Sequence, residues 1–141
     1  MELRRTIDIH ASPERVWAVM ADVTRWPEWT ASVTSVELLD ATELRMGGRA
    51  AIRQPKLPPA TFTVTALEAN RGFTWQTGNA VVRATARHEI EPTPEGSRVT
   101  LAVRFGGLLG WLMGRPYRTL TLQYLEMEAE GLKAESEREA G

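Results

Sequence analysis

His88 is the residue whose type and setting best suit it to chemistry. It belongs to the series Val82, Ala84, Ala86, His88, Ile90, alternate positions that share one face of a strand. The alanines leave room beside its ring. A histidine so placed donates or accepts a hydrogen bond toward a ligand carbonyl or hydroxyl, or acts as a general base near neutral pH. The competing reading is a structural histidine bonded to a tyrosine or to backbone. Gln54, Thr77, Tyr117 and Tyr124 are the other polar candidates. Tyr117 and Tyr124 are seven residues apart, which puts both on one helix face, and buried hydroxyls need partners. Gln54 stands where a strand meets Pro55-Lys56-Leu57-Pro58-Pro59, which reads as a place at the mouth of a pocket or as a plainly exposed position.

Other chemistries lack their residues. With no cysteine, disulfides, thiolate catalysis and cysteine-based metal sites are excluded. His10 and His88 are the only histidines and face opposite ways by parity, so no metal site and no cofactor are expected. No inward carboxylate pair is legible on the strands, which argues against glycosidase-type acid/base work. Gly106-Gly107 lacks the spacing and the lysine of a phosphate loop, and nothing indicates a serine near His88 for an acyl-transfer triad. Catalytic residues are left unassigned, with His88 the one candidate.

Alternation continues along most of the chain. Leu3, Arg5, Ile7 and Ile9 form one face of a first strand. Ser12, Pro13 and Glu14 then open a helix as cap, first residue and dipole complement. Its buried face is Val16, Val19 and Met20, and Pro27 forces a break and a second short helix. Further strands follow with inner faces Val36 and Leu38; Ala50, Ile52 and Gln54; Phe62, Val64 and Ala66; Phe73, Trp75 and Thr77; and Val99, Leu101, Val103 and Phe105. From Leu108 to about Glu137 the period changes to that of a helix, with Met113, Tyr117, Leu120, Tyr124, Met127 and Gly131 on one stripe. Pro116 predicts a kink or a separate first turn, readable as a lid or as a plainly packed helix start. A helix this long must lay its stripe on something, and the order of elements predicts a curved antiparallel sheet gripping it.

At 141 residues one domain spanning 1–141 is expected. The formal net charge of −1 gives no overall pull toward nucleic acid or anionic membrane, and no nucleic-acid partner is expected. The N-terminus lacks the apolar core of a signal peptide and no run approaches a membrane span, so a cytoplasmic location is expected. Arg49, Arg53, Arg83 and Arg87 point outward and are expected to pair with Glu43, Glu89 and Glu91. Glu126, Glu128, Glu130, Glu135, Glu137 and Glu139 read as a solvated helix face and tail. Oligomeric state is not legible.

The run Ile7-Asp8-Ile9-His10-Ala11-Ser12-Pro13-Glu14-Arg15-Val16-Trp17, followed by Asp22 and Trp26-Pro27-Glu28-Trp29, resembles the N-terminal signature of the START-like, SRPBCC superfamily. Within it the match is to the polyketide cyclase/dehydrase branch. The resemblance implies an α+β helix-grip fold: a seven-stranded curved antiparallel sheet wrapped around a long C-terminal helix, with two short helices between strands 1 and 2. It supplies no universal catalytic motif, and its members bind lipids, steroids, plant hormones or polyketides, act as cyclases or dehydratases, or assist chaperones.

In such a fold the concave sheet face and the helix stripe line a cavity. The inner parities then give a ligand site of Ile52, Phe62, Val64, Phe73, Trp75, Leu101, Val103, Met113 and Leu120 around the polar candidates His88, Gln54, Thr77, Tyr117 and Tyr124. Trp26, Trp29, Trp75 and Trp111 are candidates for an aromatic rim, or for packing. The expected partner is a small hydrophobic molecule, aromatic and polyketide-like or lipid-like. One alternative is a cyclase or dehydratase in which His88 moves a proton. The other is an interaction module of the co-chaperone or ribosome-associated kind, using the arginine-bearing sheet back or the Leu57-Pro58-Pro59 loop.

Overall fold

A computed structural model of the protein describes residues 1–138; Glu139 lies outside them. The period-two segments become seven strands: β1 (Glu2–Ile9), β2 (Ser35–Leu38), β3 (Arg49–Arg53), β4 (Ala60–Glu68), β5 (Gly72–Gly78), β6 (Arg83–Thr93) and β7 (Gly96–Gly106). They form one antiparallel sheet in the order β1-β7-β6-β5-β4-β3-β2. Strands β2 to β7 follow one another across the sheet. β1 closes the edge beside β7 because the chain after it leaves the sheet as helices.

Those helices are α1 (Pro13–Ala21) and a 3-10 helix over Val23–Glu28 that contains Pro27. The Ser12 hydroxyl caps α1, accepting from the Arg15 backbone N–H at 3.1 Å. The Trp26 indole donates to the Met20 carbonyl at 2.9 Å, folding the 3-10 helix back under α1. The C-terminal helix is in pieces, as Pro116 requires: α2 (Gly110–Met113), a 3-10 turn over Arg115–Tyr117, and α3 (Arg118–Glu137).

Helix α3 rests mainly on β1, at one edge of the sheet, with α1 and β7 as secondary supports. The Arg15 guanidinium fastens its C-terminal end by donating to the carbonyls of Glu135, Ser136 and Arg138 at 3.0, 3.2 and 3.1 Å, where cations complement the helix dipole. Gly131 lets α3 approach the 3-10 region closely, since a Cβ there would stand 2.0 Å from the Trp29 carbonyl oxygen. Around these contacts Ile9, Val16, Met20, Val99 and Leu132 are almost wholly buried. Each contributes about 1.5–3 kcal/mol of hydrophobic stabilisation.

Two readings of periodicity are corrected. The inner face of β4 does not run Phe62, Val64, Ala66. Its register against β5 shifts between Val64 and Ala66, so Ala66 is exposed and Leu67 packs on the core instead. The buried stripe of α3 is not Met113, Tyr117, Leu120, Tyr124, Met127 and Gly131. Tyr124, Leu125, Ala129, Leu132 and Ser136 are buried, while Met113 is 49% exposed and Met127 36%. Met113 and Tyr117 precede α3 and are not in phase with it.

Candidate functional site

Helix α3 lies over the β1 edge, so the inward side chains of the middle strands face it across a gap. Ala84 and Ala86 of β6 lie in register between Thr77 and Trp75 of β5 and Phe105 and Val103 of β7. A hollow of about 340 Å³ is the result, within the roughly 300–1,000 Å³ of small-molecule sites. Its closed end is formed by the buried side chains Trp26, Val33, His88 and Leu101 together with Glu128, which is only partly exposed. Its open end lies between Leu57 and Pro58 of the β3–β4 loop, Phe105, and Tyr117.

Ten of the residues expected from the sequence to line a ligand site border this hollow. They are Ile52, Gln54, Phe62, Trp75, Thr77, His88, Leu101, Val103, Tyr117 and Tyr124. Val64, Phe73, Met113 and Leu120 do not. Val64 is buried in the core just before the β4 irregularity, and Phe73 lies under His88 with its ring stacked on the imidazole. Met113 points to solvent from α2, and Leu120 is turned off the cavity side of α3. The tryptophans divide likewise. Trp26 and Trp75 line the hollow with ring centroids 5.5 Å apart. Trp29 packs behind Trp26 at 5.6 Å and Trp111 stands outside, so the four do not make one rim.

His88 is 5% exposed. Its Nδ1 lies 3.1 Å from the Phe73 carbonyl oxygen, which only accepts, so Nδ1 carries the proton and donates. The ring is therefore the neutral tautomer with an acceptor lone pair on Nε2, and among the described residues Nε2 has no hydrogen-bond partner. Burial pushes the imidazole down to about 4, with the Phe73 bond pulling partly back. That direction favours a neutral ring whose Nε2 accepts, and weighs against a base working near neutral pH.

The carboxyl at the closed end was not foreseen. Glu128 borders the hollow from α3, one turn beyond Tyr124 and Leu125, instead of joining a solvated face. Burial pushes it up to about 7, and the neighbouring Ser32 hydroxyl works in the opposite direction. Near neutrality it is divided between a carboxylic acid that donates and a carboxylate that accepts. The spacing Thr121, Tyr124, Leu125, Glu128, Leu132 carried the signal, but continuing the phase through Pro116 hid it. Ser32 joins this end together. Its hydroxyl meets that of Thr30 at 2.7 Å, and its carbonyl accepts from the Gln54 side chain at 3.2 Å. Gln54 is accordingly half-buried and tethered. The Tyr124 hydroxyl donates to the Pro55 carbonyl, tying α3 to the β3–β4 loop.

His88 and Glu128 do not pair with each other: burial and local hydrogen bonds set both charge states. Among the described residues no group of three or more His, Cys, Asp or Glu is arranged to hold a metal ion. On the back of the sheet Arg49 pairs with Asp40 at 3.0 Å, not with Glu43. Arg87 pairs with Glu89 and with Glu2, and Arg98 with Asp8 at 2.8 Å; among the described residues Glu91 has no ion-pair partner. No helix among the described residues is long and apolar enough to cross a membrane.

The fold is similar to that of protein MLL2253 from Mesorhizobium loti, at 17% identity over 98% of each chain with a TM-score of 0.77. It is also similar to TTHA0849 from Thermus thermophilus, at 19% identity over 100% of each chain with a TM-score of 0.76. A third similar structure is the di-domain ARO/CYC StfQ from the steffimycin biosynthetic pathway. There the identity is 11%, with 99% of this chain and 51% of that chain covered and a TM-score of 0.77. At such identities the likeness is one of fold. No curated protein matches the sequence. The sequence model of one family, described as polyketide cyclase / dehydrase and lipid transport, matches residues 1–137, nearly the whole chain. The protein belongs to that family, with its seven-stranded helix-grip fold.

Proposed function

We propose that this protein binds a small hydrophobic molecule in the hollow between sheet and α3, and that the molecule is a flat, hydroxylated ring system. The observation that carries this reading is the composition of the hollow. Trp26, Phe62, Trp75 and Phe105 supply aromatic walls, and His88 and Glu128 supply an acceptor and a protonatable carboxyl at the closed end. Aromatic walls favour offset or edge contacts with a planar ligand. The unpartnered Nε2 of His88 suits a ligand hydroxyl, and a neutral Glu128 suits a carbonyl. A lipid-like chain would use the walls but leave both polar groups without a partner.

The test is titration with 2-naphthol and a hydroxylated anthraquinone, against oleic acid, following tryptophan fluorescence and melting temperature. Trp26 and Trp75 report directly because they line the hollow. Quenching by the phenols is expected, with about 2.7 kcal/mol of added stability at 100 times the dissociation constant. Absence of both signals with the phenols, and of any retained small molecule in native mass spectrometry of protein from its own host, would count against the reading.

Glu128 favours one second reading, a cyclase or dehydratase. A carboxyl titrating near 7 is suited to proton transfer at neutral pH, protonating a carbonyl as a ring closes or a hydroxyl as it leaves as water. His88 would hold the substrate rather than move the proton. Turnover lost in Glu128→Gln with ligand binding retained would distinguish this reading from binding alone.

A further inference from the structure

Beside the open end of the hollow, residues 108–113 present to solvent the kind of side chain that folding ordinarily buries. Leu108 is 77% exposed and Trp111 58%, with Leu109, Leu112 and Met113 exposed beside them. Backbone packing holds them that way. Gly110 and Gly114, one turn apart and both buried, form the underside of α2 against Phe105. A Cβ at Gly110 would stand 2.9 Å from the Phe105 backbone, and one at Gly114 2.5 Å from its ring. With the glycine side pressed inward, the bulky residues between them face out. The segment is also tied to the loop before β6: Leu108 N–H donates to the Ala80 carbonyl at 2.9 Å and Leu109 N–H to that of Val81 at 2.8 Å. Val81 extends the apolar surface.

The chain segments that frame the open end carry charge of one sign, although Arg83 and Arg104, alternating with the inward Ala84 and Val103, lie on the back of the sheet with Glu2 opposite Arg104. The segments framing the open end, 54–60, 77–85 and 103–121, contain Lys56, Arg83, Arg104, Arg115 and Arg118 and no Asp or Glu, in a chain with 17 basic and 18 acidic residues. Among the described residues these five cations have no ion-pair partner, as is also true of Arg45, Arg53 and Arg71 elsewhere. A second copy of the chain is a poor occupant, because a two-fold contact would bring two such cationic rims together. A surface that is apolar at its centre and carries phosphates around it complements the patch: the side chains enter the acyl boundary and the cations meet the headgroups.

We propose that residues 108–118 dock the protein on the surface of an anionic lipid bilayer, lying in the interface without crossing it, so that the open end of the hollow faces the lipid. The proposal stands independently of what the hollow holds. Of the five tryptophans only Trp111 is exposed, so it reports docking by itself. Full-length protein is mixed with vesicles of phosphatidylcholine containing phosphatidylglycerol, and with vesicles of phosphatidylcholine alone. Co-sedimentation and a blue shift of Trp111 emission are expected with the anionic vesicles, both weakened by salt. The double change Arg115→Gln with Arg118→Gln should weaken binding about 30-fold, at about 5-fold per cation. Leu108→Ser with Leu112→Ser should abolish the shift, and melting temperatures should stay put because all four side chains are exposed. The proposal is overturned if folded protein stays off anionic vesicles, or if binding ignores both the charge changes and salt. A lipid-free, concentration-dependent dimer that shields Trp111 would equally overturn it, in favour of self-association.

Discussion

His88 and Phe73 are bound to each other twice. They are cross-strand partners in β6 and β5, their rings stack 10° from parallel with centroids 4.2 Å apart, and the His88 Nδ1–H donates to the Phe73 carbonyl at 3.1 Å. The stack fixes the plane of the imidazole and the hydrogen bond fixes its tautomer. Together they leave a single open function at that point of the hollow, the Nε2 acceptor.

Replacing His88 by Phe keeps a ring on Phe73 but removes the side-chain donor to the Phe73 carbonyl, which keeps its place in the β5–β6 ladder. A loss of about 0.5–1.5 kcal/mol in stability is expected, the net contribution of one hydrogen bond. Equilibrium denaturation measures it. In the same variant, affinity for a phenolic ligand should fall about tenfold, and affinity for the ring lacking its hydroxyl should be nearly unchanged.

Glu128 and His88 give stability opposite slopes with pH. Folded Glu128, at about 7, releases its proton later than the unfolded carboxyl at 4.5, so stability is lost as pH rises from about 4.5 through 7. Folded His88, at about 4, takes up its proton later than the unfolded imidazole at 6.5, so stability is lost as pH falls from about 6.5 through 4. In wild type the two slopes oppose each other. Glu128→Gln should gain stability relative to wild type across the upper window, on the order of 2–3 kcal/mol above about pH 7. Denaturation curves of both proteins across this range test it, and parallel pH profiles would refute the buried carboxyl.

Gly131→Ala places a Cβ 2.0 Å from the Trp29 carbonyl oxygen, a backbone atom that cannot swing aside. Helix α3 or the 3-10 region must shift, at a cost of about 1–3 kcal/mol or more. Thermal unfolding should show it. Ala134, exposed on the same helix, is the contrast, and Ala134→Gly should cost only about 1 kcal/mol through helix propensity.

Ala86→Phe sets a large ring into the hollow between Trp75 and Val103. Because the space is already open, folding should survive while affinity for any cavity ligand drops by at least about tenfold. Titration with the probe that binds wild type best measures the effect. Unchanged affinity would place the ligand elsewhere.

Periodicity made the sheet legible because strand parity is a local property. Ala84, Ala86 and His88 face one way in any β6 whose face is buried, and the spacing alone shows it. Helix α1 was legible for the same reason, from Ser12, Pro13 and the Val16, Val19, Met20 face. Phase could not be carried across a break in the backbone. The irregularity after Val64 moved Ala66 outward, and Pro116 separated α2 from α3, so the stripe extrapolated from Met113 missed the true one by about one residue. That slip concealed Glu128.

The sequence by itself determined the strands, the capped α1, the broken C-terminal helix and the inward direction of His88, all set by short-range sterics and alternation. Only the tertiary structure decided that α3 rests on the β1 edge and leaves the middle strands uncovered. It alone turned Glu128 from a surface charge into a carboxyl at the closed end of a hollow, and set the buried His88 ring with Nδ1 against the Phe73 carbonyl. Burial is the physical reason: a protonation state is set by the solvent that the rest of the chain removes, and no local pattern records that removal.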